Sequence, residues 1–196
     1  MALRTGALRS AALGGLVLVL AGCGSAGSAR PASTAGASGV STFRNDFVAL
    51  RYPAAWRPFV FRQAEVLHFD PMLYLSSQQA HTPCRARGAS TVCGWPVDRL
   101  QPGGALVEWE NRGYPGWSLA AEPGTELRVG GRRAKQTVAR PGSCAAIGAD
   151  ETIRIDIERP LPENWTAVTA CLRGPGLKAG ERRVGELLAS TRFLAP

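Results

Sequence analysis

Catalysis by a side-chain nucleophile needs a base beside it, most often histidine. The 196-residue chain holds only two histidines, His68 and His81. Ser143, in Pro-Gly-Ser-Cys-Ala, lacks the G-x-S-x-G context of a nucleophile elbow and is expected in a turn. Thiol chemistry could come from Cys84, Cys93, Cys144 and Cys171. On paper, His81, Cys84, Cys93 and one of Cys144 or Cys171 could assemble a zinc site. Structural zinc sites, however, favour cysteines two to four residues apart. Here eight residues separate Cys84 from Cys93, and 26 separate Cys144 from Cys171. No C-x-x-C occurs either, so the sequence gives no redox couple of that kind. No catalytic residue, metal or cofactor is expected.

The acidic residues offer a second set of candidates. Asp156 and Glu158 alternate with Arg154 on one face of a strand-like run, which is ordinary surface pairing. Glu108 and Glu110 have the same spacing, and Asp150-Glu151 stand where a strand begins. All are expected on solvated faces. Aromatic faces bind sugars and apolar ligands. Of the tryptophans, Trp109 and Trp165 lie inside strand patterns and are expected in a core, while Trp95 and Trp117 fall in loops. Two surface patches follow as binding candidates: Arg85, Arg87 and Trp95 around the Cys84–Cys93 loop, and Arg112, Tyr114 and Trp117. Structural packing is the competing reading for both.

The state of the cysteines depends on compartment, and the first residues bear on that. Arg4 and Arg9 precede an uncharged apolar run from Ala11 to Leu20, which is too short to span a bilayer as a helix. A basic start, a short apolar core and then small residues mark an export signal. Leu20-Ala21-Gly22-Cys23 matches a lipobox, which implies that residues 1–22 are removed and Cys23 carries a diacylglyceryl anchor. Two acyl chains hold a protein stably on a membrane. Outside the reducing cytoplasm thiols become disulfides. With Cys23 lipidated, four cysteines remain and three connectivities are open. Cys84–Cys93 would close a short loop, and Cys144–Cys171 would tie the segment before one strand to that strand's hairpin partner. That pairing is the expectation.

Residues 1–22 contain two arginines and no acid, so the net charge falls from +8 to +6 without them. An excess of that size favours loose association with anionic headgroups or wall polymers. The basic residues form no long run, which speaks against nucleic acid as a partner. Residues 23–42 are built of Gly, Ala, Ser, Thr and Pro with little to bury, and read as a flexible tether. From Phe43 to Pro196 the composition is that of one domain.

Its pattern is mostly β. Phe47–Pro53 alternates, Met72–Ser77 is a short apolar run, and Ala105–Glu110 alternates again. Gly130-Gly131 supply the turn of a hairpin within Glu126–Ala139. In Thr152–Glu158, Ile153, Ile155 and Ile157 share a face, and Asn164–Leu172 follows as the pairing strand. Near the end, Val184, Leu187, Leu188 and Thr191 keep the i, i+3, i+4, i+7 spacing of an amphipathic helix, followed by Phe193-Leu194. Phe61–Phe69 is a weaker helical candidate. Strands followed by a terminal helix predict an α+β fold, an antiparallel sheet flanked by helices.

Both ends of this region resemble the PsbP/Mog1-like group. The early strand stands here as Phe47-Val48-Ala49-Leu50-Arg51-Tyr52-Pro53-Ala54-Ala55-Trp56, and the closing helix runs into Leu187-Leu188-Ala189-Ser190-Thr191-Arg192-Phe193. The middle hairpin, Val129–Ala134, fits the same group. With the lipobox, the chain looks like an actinobacterial lipoprotein of that type. The resemblance implies an α/β/α-like sandwich and a binding or assembly-helper role, with no catalytic residues to carry over. The expected function is therefore a non-enzymatic module, anchored on the extracytoplasmic face of the cell membrane, that binds an envelope protein, lipid or glycan. The alternative is an envelope hydrolase or metal-dependent enzyme.

Overall fold

The computed structural model describes residues 39–61, 69–88, 90–160 and 164–194. In chain order the strands are β1 (Val40–Arg44), β2 (Val48–Pro53), β3 (Arg57–Phe59), β4 (Phe69–Ser76), β5 (Cys84–Arg87), β6 (Ser90–Cys93) and β7 (Ala105–Gly113). They continue with β8 (Thr125–Val129), β9 (Arg132–Ala139), β10 (Glu151–Glu158), β11 (Asn164–Leu172) and β12 (Arg192–Phe193); the α-helix α1 (Leu177–Ser190) precedes β12. Short 3-10 helices occupy Leu119–Ala121 and Gly142–Ile147.

Seven strands form one antiparallel sheet in the order β3-β4-β7-β11-β10-β9-β8, and β1-β2-β12 form a second. The β8–β9 turn is two residues long, and both Gly130 and Gly131 have positive φ, which the tight hairpin requires. On one face of the large sheet, Leu73, Leu75, Val107, Trp109, Ile153, Ile155, Ile157 and Val168 are buried. They pack against Val48, Leu50 and Tyr52 of the small sheet and against Val184, Leu187 and Leu188 of α1. Burying each such aliphatic side chain contributes roughly 1.5–3 kcal/mol, so this seam is the main source of stability. A second, smaller cluster sits on the opposite face. There Tyr74, Leu106, Cys144, Ile147 and Cys171 meet Val97 and Leu100.

The architecture is thus mostly antiparallel β with one main helix. α1 starts at Leu177, seven residues before the first member of the expected stripe, Val184, and ends before its last, Thr191, whose backbone is already extended. β1 begins at Val40, inside the stretch read as tether, because Val40–Arg44 finds a complete register along β2. Most of the weaker helical candidate, and all of residues 1–38 with Cys23, lie outside the described residues. No helix among the described residues is long and apolar enough to cross a membrane.

Candidate functional site

The face of the large sheet away from α1 carries a half-buried polar trough. Strand alternation puts Leu106, Glu108, Glu110 and Arg112 of β7 on this side, opposite Cys171, Thr169, Ala167 and Trp165 of β11. On the next strand, Thr169 is opposite Arg154 and Ala167 is opposite Asp156. The small side chains of Ala167 and Thr169 leave room for the longer charged groups from either side to lie down over the central strand. Glu110 and Asp156 are only 7% and 5% exposed. The solvated faces expected for Glu108, Glu110 and Asp156 are therefore corrected. The back of the sheet is covered, and the acids are held rather than hydrated.

Each carboxylate is dealt with differently. Arg112 donates through Nε to Glu110 Oε2 at 2.6 Å and also contacts that oxygen through Nη2. Arg154 grips Asp156 with two hydrogen bonds, Nε to Oδ2 at 2.9 Å and Nη2 to Oδ1 at 2.8 Å. Such forked, charge-assisted bonds are the strong ones. The hydrogen bond to Asp156 is the main reason the Arg154 guanidinium holds its proton more tightly than usual. Glu108 receives a neutral partner instead: the Tyr74 hydroxyl donates to its Oε1 at 2.6 Å. Burial, followed by the charge of Glu110, raises the Glu108 carboxyl from its ordinary 4.5 to about 7. The Tyr74 hydrogen bond and the charges of Arg112 and Arg154 pull it down by less. Burial and the charge of Glu108 push the Tyr74 phenol well above its usual range.

The loop after β7 folds over the far end of this trough. Trp117 stacks on Trp165 with ring centroids 4.5 Å apart, and its indole N–H donates to Glu122 Oε1 at 2.8 Å. Lys135 Nζ donates to the Ala120 and Glu122 carbonyls at 3.0 and 2.5 Å. Of the second predicted patch, Arg112 and Trp117 are thus committed to the structure. Tyr114 stays exposed between them. Trp165 is buried as expected, but in this stack and outside the main core.

The first patch sits elsewhere. β5 and β6 form an isolated hairpin in which Cys84 faces Cys93, with sulfurs 2.07 Å apart. Arg85 and Arg87 are exposed along it. Trp95 is half-buried and packs into the smaller core cluster, so it anchors the base of the finger rather than offering a free aromatic face. Cys144 and Cys171 form the second pair, with sulfurs 1.99 Å apart and both residues buried. Both pairs match the expected connectivity. Glu151, expected at a solvated strand start, is fully buried, and Arg140 holds its Oε2 at 2.7 Å through both Nε and Nη2.

His68 lies outside the described residues. His81 accompanies Asp98 at 3.4 Å on an exposed surface, while its Nδ1 lies 3.1 Å from the Thr82 carbonyl. Both ring nitrogens thus face acceptors, the Thr82 carbonyl and the Asp98 carboxylate, and neither faces a hydroxyl or thiol. Among the described residues no cluster of three or more His, Cys, Asp or Glu side chains could hold a metal ion.

A groove of about 650 Å³ opens at the seam between β2 and α1, a feature with no local sequence pattern. Val40, Tyr52, Pro53, Trp56 and Leu187 give it an apolar lining, and Arg51, Arg183 and Glu186 bring charge to it. No protein-family model matches the chain, and no curated protein matches it.

Proposed function

We propose that the chain is a membrane-anchored extracytoplasmic lipoprotein whose PsbP/Mog1-like domain is a non-enzymatic binding or assembly-helper module of the cell envelope. The observation that carries the binding role is the β2–α1 groove. Its volume falls within the roughly 300–1,000 Å³ usual for ligand sites, and its lining is apolar with a few charged groups. Anchoring rests on the sequence Leu20-Ala21-Gly22-Cys23 and the short apolar run before it.

Two measurements test the reading separately. Mass spectrometry of the N-terminal peptide should find it starting at Cys23 and carrying a diacylglyceryl group; an unmodified Cys23 in membrane-derived protein would remove the anchor. Crosslinking and pulldown from intact cells should enrich a partner or ligand that Val40→Trp, which fills the mouth of the groove, no longer retains. Equal recovery with Val40→Trp would remove the groove from the account.

A second reading, an envelope hydrolase, has one observation in its favour. Glu108, with a carboxyl near neutrality beside a tyrosine, is suited to give and take a proton around pH 7. Under that reading Glu108→Gln abolishes turnover of an envelope substrate; under the binding reading it leaves partner recovery unchanged.

A further inference from the structure

The second sheet has an inner face in the core and an outer face on which Val40, Thr42, Arg44 and Arg51 are exposed. Alternation assigns Val40, Thr42 and Arg44 of β1 and Ala49, Arg51 and Pro53 of β2 to the outer side, since Phe43, Val48, Leu50 and Tyr52 point to the core. The register then sets Arg44 and Arg192 on either side of Ala49, and Thr42 opposite Arg51. All three arginines are exposed. Of the large exposed apolar residues, Val40 at 67% stands at one end of this face, and Phe47 at 47% lies in the β1–β2 turn directly before β2. No carboxylate occurs on this face among the described strand residues. The nearest acids are Asp46, in the β1–β2 turn, and Glu186, beside Arg51 in the groove. The β8–β9 turn abuts β12, and Arg128 there shares a pocket of about 430 Å³ with Arg192, which extends the cationic edge.

We propose that this outer face, formed by Arg44, Arg51 and Arg192 with Val40 and Phe47, is a docking surface for an anionic lipid bilayer. Arginine heads pair with phosphate while exposed apolar side chains enter the headgroup boundary, the combination found on interfacial elements. A bilayer is favoured over a soluble anionic polymer because apolar residues share the face with the cations. Position also favours it. Only sixteen residues separate Cys23 from Val40, and a chain of that length cannot reach beyond about 60 Å even at full extension. An anchor at Cys23 would keep this face within reach of the membrane, although docking itself does not require the acyl chains.

The test uses the full chain with Cys23→Ser and Thr42→Cys, labelled at Thr42→Cys with a polarity-sensitive fluorophore. Any attachment through residues 1–22 is common to all samples, so the label reports whether the face touches lipid. On vesicles of phosphatidylcholine mixed with phosphatidylglycerol, the emission shifts to the blue and a lipid-borne quencher reduces it. On phosphatidylcholine alone, and for a label at Ser118→Cys, neither change occurs. Each arginine near an anionic surface alters the docked-to-free ratio about fivefold, so replacing Arg44, Arg51 and Arg192 by alanine lowers it on the order of a hundredfold. The corresponding triple lysine variant restores it, which separates loss of charge from loss of fold. Equal quenching on both vesicle types, equal quenching in the alanine variant, or a label that stays in water throughout would each overturn the proposal. So would shielding by soluble heparin without any response to phosphatidylglycerol vesicles, since the occupant would then be a polymer. Val40 and Arg51 also line the β2–α1 groove, but these outcomes read lipid contact at position 42 and not ligand retention, so failure here leaves the proposed binding role standing.

Discussion

Glu108→Gln should remove a defined slice of pH dependence from the stability of the fold. In the folded chain the Glu108 carboxyl is raised from 4.5 to about 7, chiefly by burial. Below pH 4.5 both folded and unfolded chains carry the proton, and the group costs nothing. Between 4.5 and 7 the unfolded chain releases the proton while the folded chain keeps it, so folding is progressively disfavoured as pH rises. Above 7 both are ionised and the penalty is constant. A rise of this size corresponds to about 3 kcal/mol at ~1.36 kcal/mol per pKa unit, an order-of-magnitude figure for a group that interacts with Glu110. The glutamine variant keeps the shape and stays neutral, so it escapes the penalty. Urea unfolding with both disulfides intact, stepped from about pH 4.5 to 8, gives the two stability curves. Their difference should move by about 3 kcal/mol in favour of the variant over that window. Carboxylates that do not interact with Glu108 cancel in the difference, leaving Glu108 together with its neighbour Glu110. Tyr74→Phe removes a hydrogen bond that lowers the Glu108 value, so its window should move to higher pH. Parallel curves for wild type and Glu108→Gln across the window would refute the reasoning.

The two disulfides should differ in reactivity: mild reduction followed by alkylation and mass mapping should label Cys84 and Cys93 on the exposed hairpin before the buried Cys144 and Cys171. Replacing both Cys144 and Cys171 by alanine should cost about 3.5 kcal/mol in denaturant melts from the loop entropy of a 27-residue separation. Gly124→Ala should lose roughly 1–3 kcal/mol, read as a lowered Tm, because φ there is +118° and the new Cβ would collide with the Gln136 carbonyl. Leu187→Ala should cost about 2–5 kcal/mol, since Leu187 is buried at the helix–sheet seam, and it should also enlarge the β2–α1 groove.

The main core was legible because its signals are local. Ile153, Ile155 and Ile157 announce one buried face within seven residues, and Val184, Leu187 and Leu188 do the same at helical spacing. Gly130-Gly131 marks its own hairpin. The polar trough was not legible, because alternation says which residues share a face but not what covers it. Arg154 and Asp156 read as a solvent-facing pair. They are enclosed because Ala167 and Thr169 on the next strand are small, and because the Trp117 loop returns from a distant part of the chain. The groove joins β2 to α1 across more than a hundred residues and leaves no mark in either stretch alone.

The same limit explains the mixed fate of the predicted surface residues. Trp117 and Trp95 read as free aromatics because each stands among Gly and Pro, the composition of a loop. A loop tryptophan nonetheless buries a large apolar area when a partner is near. Trp117 finds Trp165, and Trp95 finds the cluster around Tyr74 and Leu106. Arginine behaves in the opposite way, since its head needs an acid before it gives up water. Arg112 and Arg154 have Glu110 and Asp156 two residues away on their own strands, and both settle into the trough. Arg44, Arg51 and Arg192 have no acid across any rung of their register, and they remain at the surface. On the central strands, an acid at i±2 thus goes with the enclosure of Arg112 and Arg154, whereas the outer-face arginines of the small sheet meet no acid across theirs.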